Sequence, residues 1–278
     1  MSILSQLMNE ATRTQALISL LYRMPAVLIA LTLHELAHGY IALRCGDPTA
    51  QMLGRLSFNP LKHLDPIGTI CMFLFGIGWA KPVPVNPRNF KNYRKDDLLV
   101  SLAGVVMNFL LFVFTTLLML LVTQFLYKPE MWNLGSLVTR RDFLRFDGCN
   151  FGFTYANAGV LAVRNAGNGY VYTLELAEFL KAPWLQYVQR FLMEFSMVNI
   201  GLALFNLLPI PPLDGYHVFN DIIFRGRLHL PARVMNILSL GLMVLLLATN
   251  FISDLLGKAI FFVQGGLVDG LLKLFGVG

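Results

Sequence analysis

Charged residues are scarce in this chain: they make up 14% of its 278 residues, against about a quarter in a soluble protein of ordinary composition. Apolar residues reach 56% and fall in long runs, which excludes an ordinary soluble domain and points to a bilayer. Cysteine is also scarce. Cys45, Cys71 and Cys149 show no Cys-x-x-Cys spacing, so neither a disulfide framework nor a thiolate metal site is expected. The opening MSILSQLMNEATR lacks the early basic region and cleavage signal of a secretory leader, so the first apolar run is expected to be retained. A net charge of +6 raises nucleic acid as a partner. The basic residues, however, lie in loops between apolar runs, where they record membrane topology, and no nucleic-acid partner is expected.

What is present is a set of runs long enough to span a bilayer, which takes about 20 apolar residues as helix. They cover Gln15–Cys45, Leu98–Tyr127, Tyr187–Leu208 and Val234–Ile252. A shorter run, Ile67–Ala80, is broken by Gly68, Gly76 and Gly78 and reads as a re-entrant or interfacial element. The tail from Lys258 is apolar but holds five glycines, and reads as a weak last span or a surface-lying segment. The expected fold is an all-α polytopic membrane protein. Residues 1–127 and 186–278 form its membrane core, and 128–185 an extramembrane insert with short β-like pieces such as Gly169–Leu174.

Charge orients this arrangement. The stretch Arg44–Lys95 carries eight basic residues and Asp214–Arg233 three more, which places both on the cytoplasmic side. The insert, with six basic and five acidic residues, then faces outward despite its local cluster Arg140, Arg141 and Arg145. Ile67–Ala80 must then enter and return on the same side.

The chemistry begins in the first run, at His34-Glu35-Leu36-Ala37-His38. Histidines four residues apart share one helix face and are close enough to bind one metal ion. Glu35 projects near the open coordination position, where it can take a proton from the attacking water. Imidazole with carboxylate and an open position favours zinc. The bland reading, two helix histidines bonded to neighbours, is weak here because ionisable residues at membrane depth are costly.

A third ligand is needed. The continuation His-x-x-Gly-x-x-His fails, because Ile41 and Arg44 occupy the matching positions. No glutamate lies between Glu35 and Glu130, which excludes a glutamate on a closely following helix. His63, Asp65 and Asp214 remain. His63 and Asp65 lie in a turn-rich loop. Asp214 ends Asn206-Leu-Leu-Pro-Ile-Pro-Pro-Leu-Asp214-Gly215, where three prolines force the chain out of helix directly after an apolar run. Either it reaches a metal on a neighbouring helix, or it opens a surface turn with Gly215.

HELAHG in the first span and NLLPIPPLDG after a later one together resemble the site-2 protease family of intramembrane metalloproteases. Further matches lie at Gly46–Ala50, Asn59–Thr69 and Gly78–Pro87, and in Ala103-Gly104-Val-Val-Met-Asn108. The segment Lys81-Pro-Val-Pro-Val-Asn-Pro87 is similar to the compact prokaryotic branch. The resemblance covers roughly residues 30–110 and 195–220. It implies a three-helix core in which His34, His38 and Asp214 bind zinc and Glu35 is the general base. Asn108 would lie near the reacting carbonyl, although interhelical hydrogen bonding beside Gly104 would explain it equally well. Proline often follows the glycine of that middle motif; Val105 stands there in this chain. The substrate implied is a transmembrane segment of another protein within the lipid bilayer. Helical hydrogen bonds occupy its carbonyls, so it must unwind locally, and extended pairing along Leu53–Phe58 or Pro82–Asn86 is expected to hold it. A metal transporter is the alternative, and would string ionisable residues along a pathway instead of gathering them at one depth.

Overall fold

The structure is a computed structural model that describes residues 10–75, 79–130, 160–164, 171–228, 230–249 and 251–276. Its helices are α1 (Glu10–Cys45), α2 (Thr49–Met52), α3 (Pro66–Phe75), α4 (Tyr93–Leu126), α5 (Leu185–Asn206), α6 (Asp214–Ile223), α7 (Ala232–Ala248) and α8 (Phe251–Leu274). Strands β1 (Val160–Arg164) and β2 (Val171–Glu175) pair antiparallel, with Val160 opposite Glu175. The architecture is helical and polytopic, and the hairpin falls within the expected insert. Cys149 and the Arg140, Arg141 and Arg145 cluster lie outside the described residues.

Among the described residues, four helices are long and apolar enough to cross a membrane: Ala16–Cys45, Tyr93–Leu126, Leu185–Asn206 and Asp254–Leu274. In α1 only 22% of the span is buried, so most of its side chains face outward, as lipid-facing residues do. Side-chain hydroxyls within the helices find internal partners. Thr32 Oγ1 donates to Leu28 O at 2.7 Å and Thr123 Oγ1 to Met119 O at 2.7 Å, which satisfies them where no water would.

One expected span differs. The run Val234–Ile252 forms the 17-residue α7, which ends at Ala248 with Thr249 extended; at 1.5 Å per residue it is shorter than a hydrocarbon core of about 30 Å. The fourth span-length helix is the tail, α8. Cβ atoms added at Gly257, Gly266 and Gly270 would meet nothing within 4 Å. Each interior glycine costs a helix only about 1 kcal/mol, which a long apolar helix absorbs. Helix α4 begins five residues before the apolar run. Asn92 Oδ1 accepts the Lys95 N–H at 3.3 Å and Asp96 Oδ2 accepts the Asn92 N–H at 2.8 Å, a reciprocal cap that starts the helix in its charged turn.

Helix α3 has ten residues, about 15 Å of rise, too short to cross. Asp65 Oδ1 caps it by accepting the Gly68 N–H at 2.8 Å, with Pro66 at its first position. The chain then returns to its starting point. Leu64 bridges to Ala80, and the Lys81 N–H donates to His63 O at 2.8 Å.

Contacts divide the chain into two units, Met1–Phe112 with Met197–Leu256, and Val113–Ser196 with Gly257–Gly278. In the first, Ala42, Cys45 and Val100 form one buried cluster, and Leu213, Leu242 and Ile252 another. In the second, the stems of the insert are pinned together. Tyr127 bridges to Leu180, and Lys128 N–H and Lys181 N–H donate to Phe179 O and Leu126 O at 2.8 and 2.9 Å. Below that bridge, Tyr127 Oη donates to Gln189 Oε1 at 3.2 Å and Gln189 Nε2 to Thr123 Oγ1 at 3.0 Å.

Candidate metal centre

Three side chains from two helices converge in the first unit. His34 and His38, one turn apart on α1, bring their Nε2 atoms within 3.0 Å of each other. Asp214, the first residue of α6, places Oδ2 3.3 Å from both. His34 and His38 are buried. Among the described residues this is the group of histidine, cysteine and acidic side chains able to hold a metal ion.

Close packing makes the convergence possible. A Cβ at Gly104 would sit 2.6 Å from His34 Nε2 and nearer still to His38, so only glycine lets α4 pass behind both rings. A Cβ at Gly215 would lie 2.5 Å from Leu208 O. Glycine there allows α6 to start against the end of α5, straight after the prolines.

The remaining ring nitrogens fix the imidazoles. His38 Nδ1 lies 2.7 Å from Val100 O on α4. A carbonyl only accepts, so Nδ1 carries the proton and Nε2 presents a lone pair. His34 Nδ1 lies 3.1 Å from the amide of Asn108, which is fully buried. With Nδ2 placed toward the ring, Asn108 Oδ1 has no partner. Turning the amide over lets Oδ1 accept the Nδ1–H and frees His34 Nε2 as well.

The donor set fits zinc. Two imidazole nitrogens and a carboxylate oxygen meet, and Asp214 Oδ2 is buried with no hydrogen-bond partner. Three lone-pair atoms repel unless a cation lies between them. Their separations of 3.0 and 3.3 Å are close to the roughly 3.3 Å edge of a tetrahedron of ligands about 2.0–2.1 Å from zinc.

A profile of peptidase family M50 matches residues 22–249. The chain belongs to that family. It is 34% identical over 254 residues to a Bacillus subtilis (strain 168) protein named as a zinc metalloprotease, YwhC, covering 91% of this chain and 90% of that one. A second relative, Rip2 of Mycolicibacterium smegmatis, also named as a zinc metalloprotease, is 33% identical over 89 residues, 30% of this chain and 34% of the relative. No solved structure matches. Family and relatives make this M50 member a zinc metalloprotease, and its four apolar helices make it an integral membrane protein.

Glu35 lies beside this group on α1, where its Oε2 accepts the Val83 N–H at 2.8 Å. Val83 is buried between Pro82 and Pro84, which have no N–H to give. The loop carrying it is anchored by Asp47, a fully buried carboxylate just past α1. Asp47 accepts from Asn86 N–H at 2.7 Å, Asn89 Nδ2 at 2.7 Å, Thr49 N–H at 3.1 Å and the Thr49 hydroxyl. Burial opposes its ionisation, but these bonds outweigh it and hold Asp47 below the usual carboxylate range. Arg55 adds a clamp, donating from Nη2 to Lys81 O and Pro82 O at 2.8 and 3.2 Å.

The other sequence candidates are elsewhere. His63 is buried with Nε2 2.8 Å from Ser57 O, and Asp65 caps α3; neither joins the cluster. Across Pro82–Asn86 two residues lack an N–H, while Val83 and Asn86 have committed theirs, which leaves little for pairing with an extended peptide. Leu56 and Phe58 line an apolar cavity of about 530 Å³ together with Leu36, Ala37, Ala103 and Met107, neighbours in sequence of Glu35, His38, Gly104 and Asn108. Val100 and Val83 act through backbone atoms, and nothing in the sequence pattern marks them.

Proposed function

We propose that this zinc metalloprotease is an intramembrane endopeptidase that hydrolyses peptide bonds in or near transmembrane segments of other membrane proteins. The observation that carries the reading is that His34 and His38 lie on a helix long and apolar enough to span a bilayer and meet Asp214, brought to them by α6. In this reading His34 Nε2, His38 Nε2 and Asp214 Oδ2 hold the ion. Zinc, when bound, supplies Lewis-acid polarisation of the scissile carbonyl and makes water nucleophilic near neutral pH.

The protein's own groups do the rest. Glu35 takes the proton from the attacking water and returns it to the leaving nitrogen, and the Val83 N–H keeps its carboxylate aimed. Val100 O and the Asn108 amide hold the two imidazoles in orientation and tautomer. Asn108 is committed to His34 in this scheme; turning it toward a developing oxyanion would release that ring. The apolar cavity at Leu56 and Phe58 receives a side chain of the unwound substrate.

We also propose that the site opens toward the cytoplasm, on the basic loops Arg44–Lys95 and Asp214–Arg233. The test is cleavage of a transmembrane peptide in liposomes by the purified protein, with Glu35→Gln as control. Cleavage that depends on zinc and stops in E35Q supports the reading. Zinc flux across the bilayer without cleavage would replace it with a transporter.

A further inference from the structure

Helix α6 carries one member of the metal cluster, and α4 carries the groups that orient the other two. What sets the distance between these helices lies outside the cluster. His217 is three residues after Asp214, and Asp97 three residues before Val100. His217 Nδ1 lies 3.3 Å from Asp97 Oδ2. Asp97 is buried, while the His217 side chain is 46% exposed.

A second contact continues the first. One turn further along α6 is Asp221, and one turn back along α4 is Arg94, whose Nε donates to Asp221 O at 2.8 Å. The two contacts run in opposite directions along the two helices, which fixes register as well as distance. The far end of α6 is tied down separately: Gly226 N–H donates to Asn220 O at 3.0 Å, and Leu228 N–H to Asn220 Oδ1 at 2.9 Å. Nearer the start of α6, it is His217 that reaches α4.

We propose that His217 is a positioning residue for zinc. Paired with Asp97, it holds the start of α6 at the spacing from α4 at which Asp214 Oδ2 meets the two histidines. It touches no atom of the metal cluster and acts through the helix it anchors. This inference rests on the zinc reading of the His34, His38 and Asp214 cluster.

The test measures zinc affinity of the purified protein by chelator competition, together with the melting temperature of the metal-stripped protein. His217→Ala is expected to weaken zinc binding about tenfold, at the lower end of the effect of groups that orient ligands, with little change in metal-free melting. His217→Arg, which restores a cationic donor to Asp97, is expected to bring affinity back to within about threefold of the parent. In a double-mutant cycle with Asp97→Asn, the second substitution is expected to add little to the first. Unchanged affinity in H217A overturns the proposal. So does a loss that Arg fails to restore and that follows an equal loss of metal-free stability. His34→Ala separates this from the site itself: if H34A binds zinc as the parent does, the cluster reading fails, and if only H217A does, the positioning reading alone fails.

Discussion

Val83 donates its backbone N–H to Glu35 Oε2 at 2.8 Å, so a loop 48 residues downstream holds the carboxylate that neighbours the two histidines. A hydrogen bond to a charged acceptor contributes about 1.5–3 kcal/mol. If the contact aims the base in the transition state, Val83→Pro, which deletes the donor, lowers kcat by roughly 10–100-fold. Val83→Ala keeps the donor and stays near the parent. Steady-state kinetics on a transmembrane peptide decide it; equal kcat in the two variants contradicts the aiming role.

Gly104 gives α4 its passage behind the imidazoles. Gly104→Ala is expected to push the rings off their shared focus and weaken zinc binding by at least about tenfold. His63→Ala, at a buried histidine outside the cluster, is expected to keep its zinc. Metal content of the two purified variants is the check.

Asp47 organises the loop that carries Val83. Its pKa is lowered in the folded protein, so its contribution is present above the unfolded value of about 3.9 and is lost as pH falls below it. Asp47→Ala leaves the Asn86 and Thr49 N–H groups buried without an acceptor and is expected to cost about 2–4 kcal/mol at pH 7. Thermal unfolding at pH 7 and below pH 4 tests this: the gap between parent and variant closes toward acid.

Asp221 shifts the other way. Burial, then the charge of Asp97, push its carboxyl up to about 6, against the opposing pull of His217 and Arg94. A raised folded pKa contributes stability below the unfolded value of about 3.9, and that contribution disappears as pH rises through 6. Asp221→Asn stays neutral throughout. It is expected to melt a few degrees higher than the parent at pH 8 and no higher at pH 4. Equal melting at both values removes the carboxyl pair as a cost.

Much of this was legible in the chain. His34 and His38 declared themselves by spacing on an apolar helix, while the prolines before Asp214 left it open between a metal ligand and a surface turn. The span ends were less legible, because Asn92 and Asp96 start α4 in a charged turn that hydropathy does not weigh. The glycines of the tail left a weak last span and a surface-lying segment both open, and the structure has a span-length helix there. The groups holding the site are hidden for a different reason. Val100 and Val83 use backbone atoms, which every residue has, and His217 meets Asp97 across 120 residues of chain. Only the folded arrangement brings such partners together.

In the proposed reaction, peptide bonds inside a membrane are cut with zinc held by His34, His38 and Asp214 and with Glu35 as base. The most direct measurement is cleavage of a single-span substrate by the purified protein in liposomes, before and after zinc is stripped and restored. Cleavage is expected within or beside the span, lost on stripping, regained with zinc, and reduced by at least about 100-fold in Glu35→Gln, although that variant still binds one zinc. Cleavage that persists undiminished in zinc-loaded E35Q contradicts the proposed reaction.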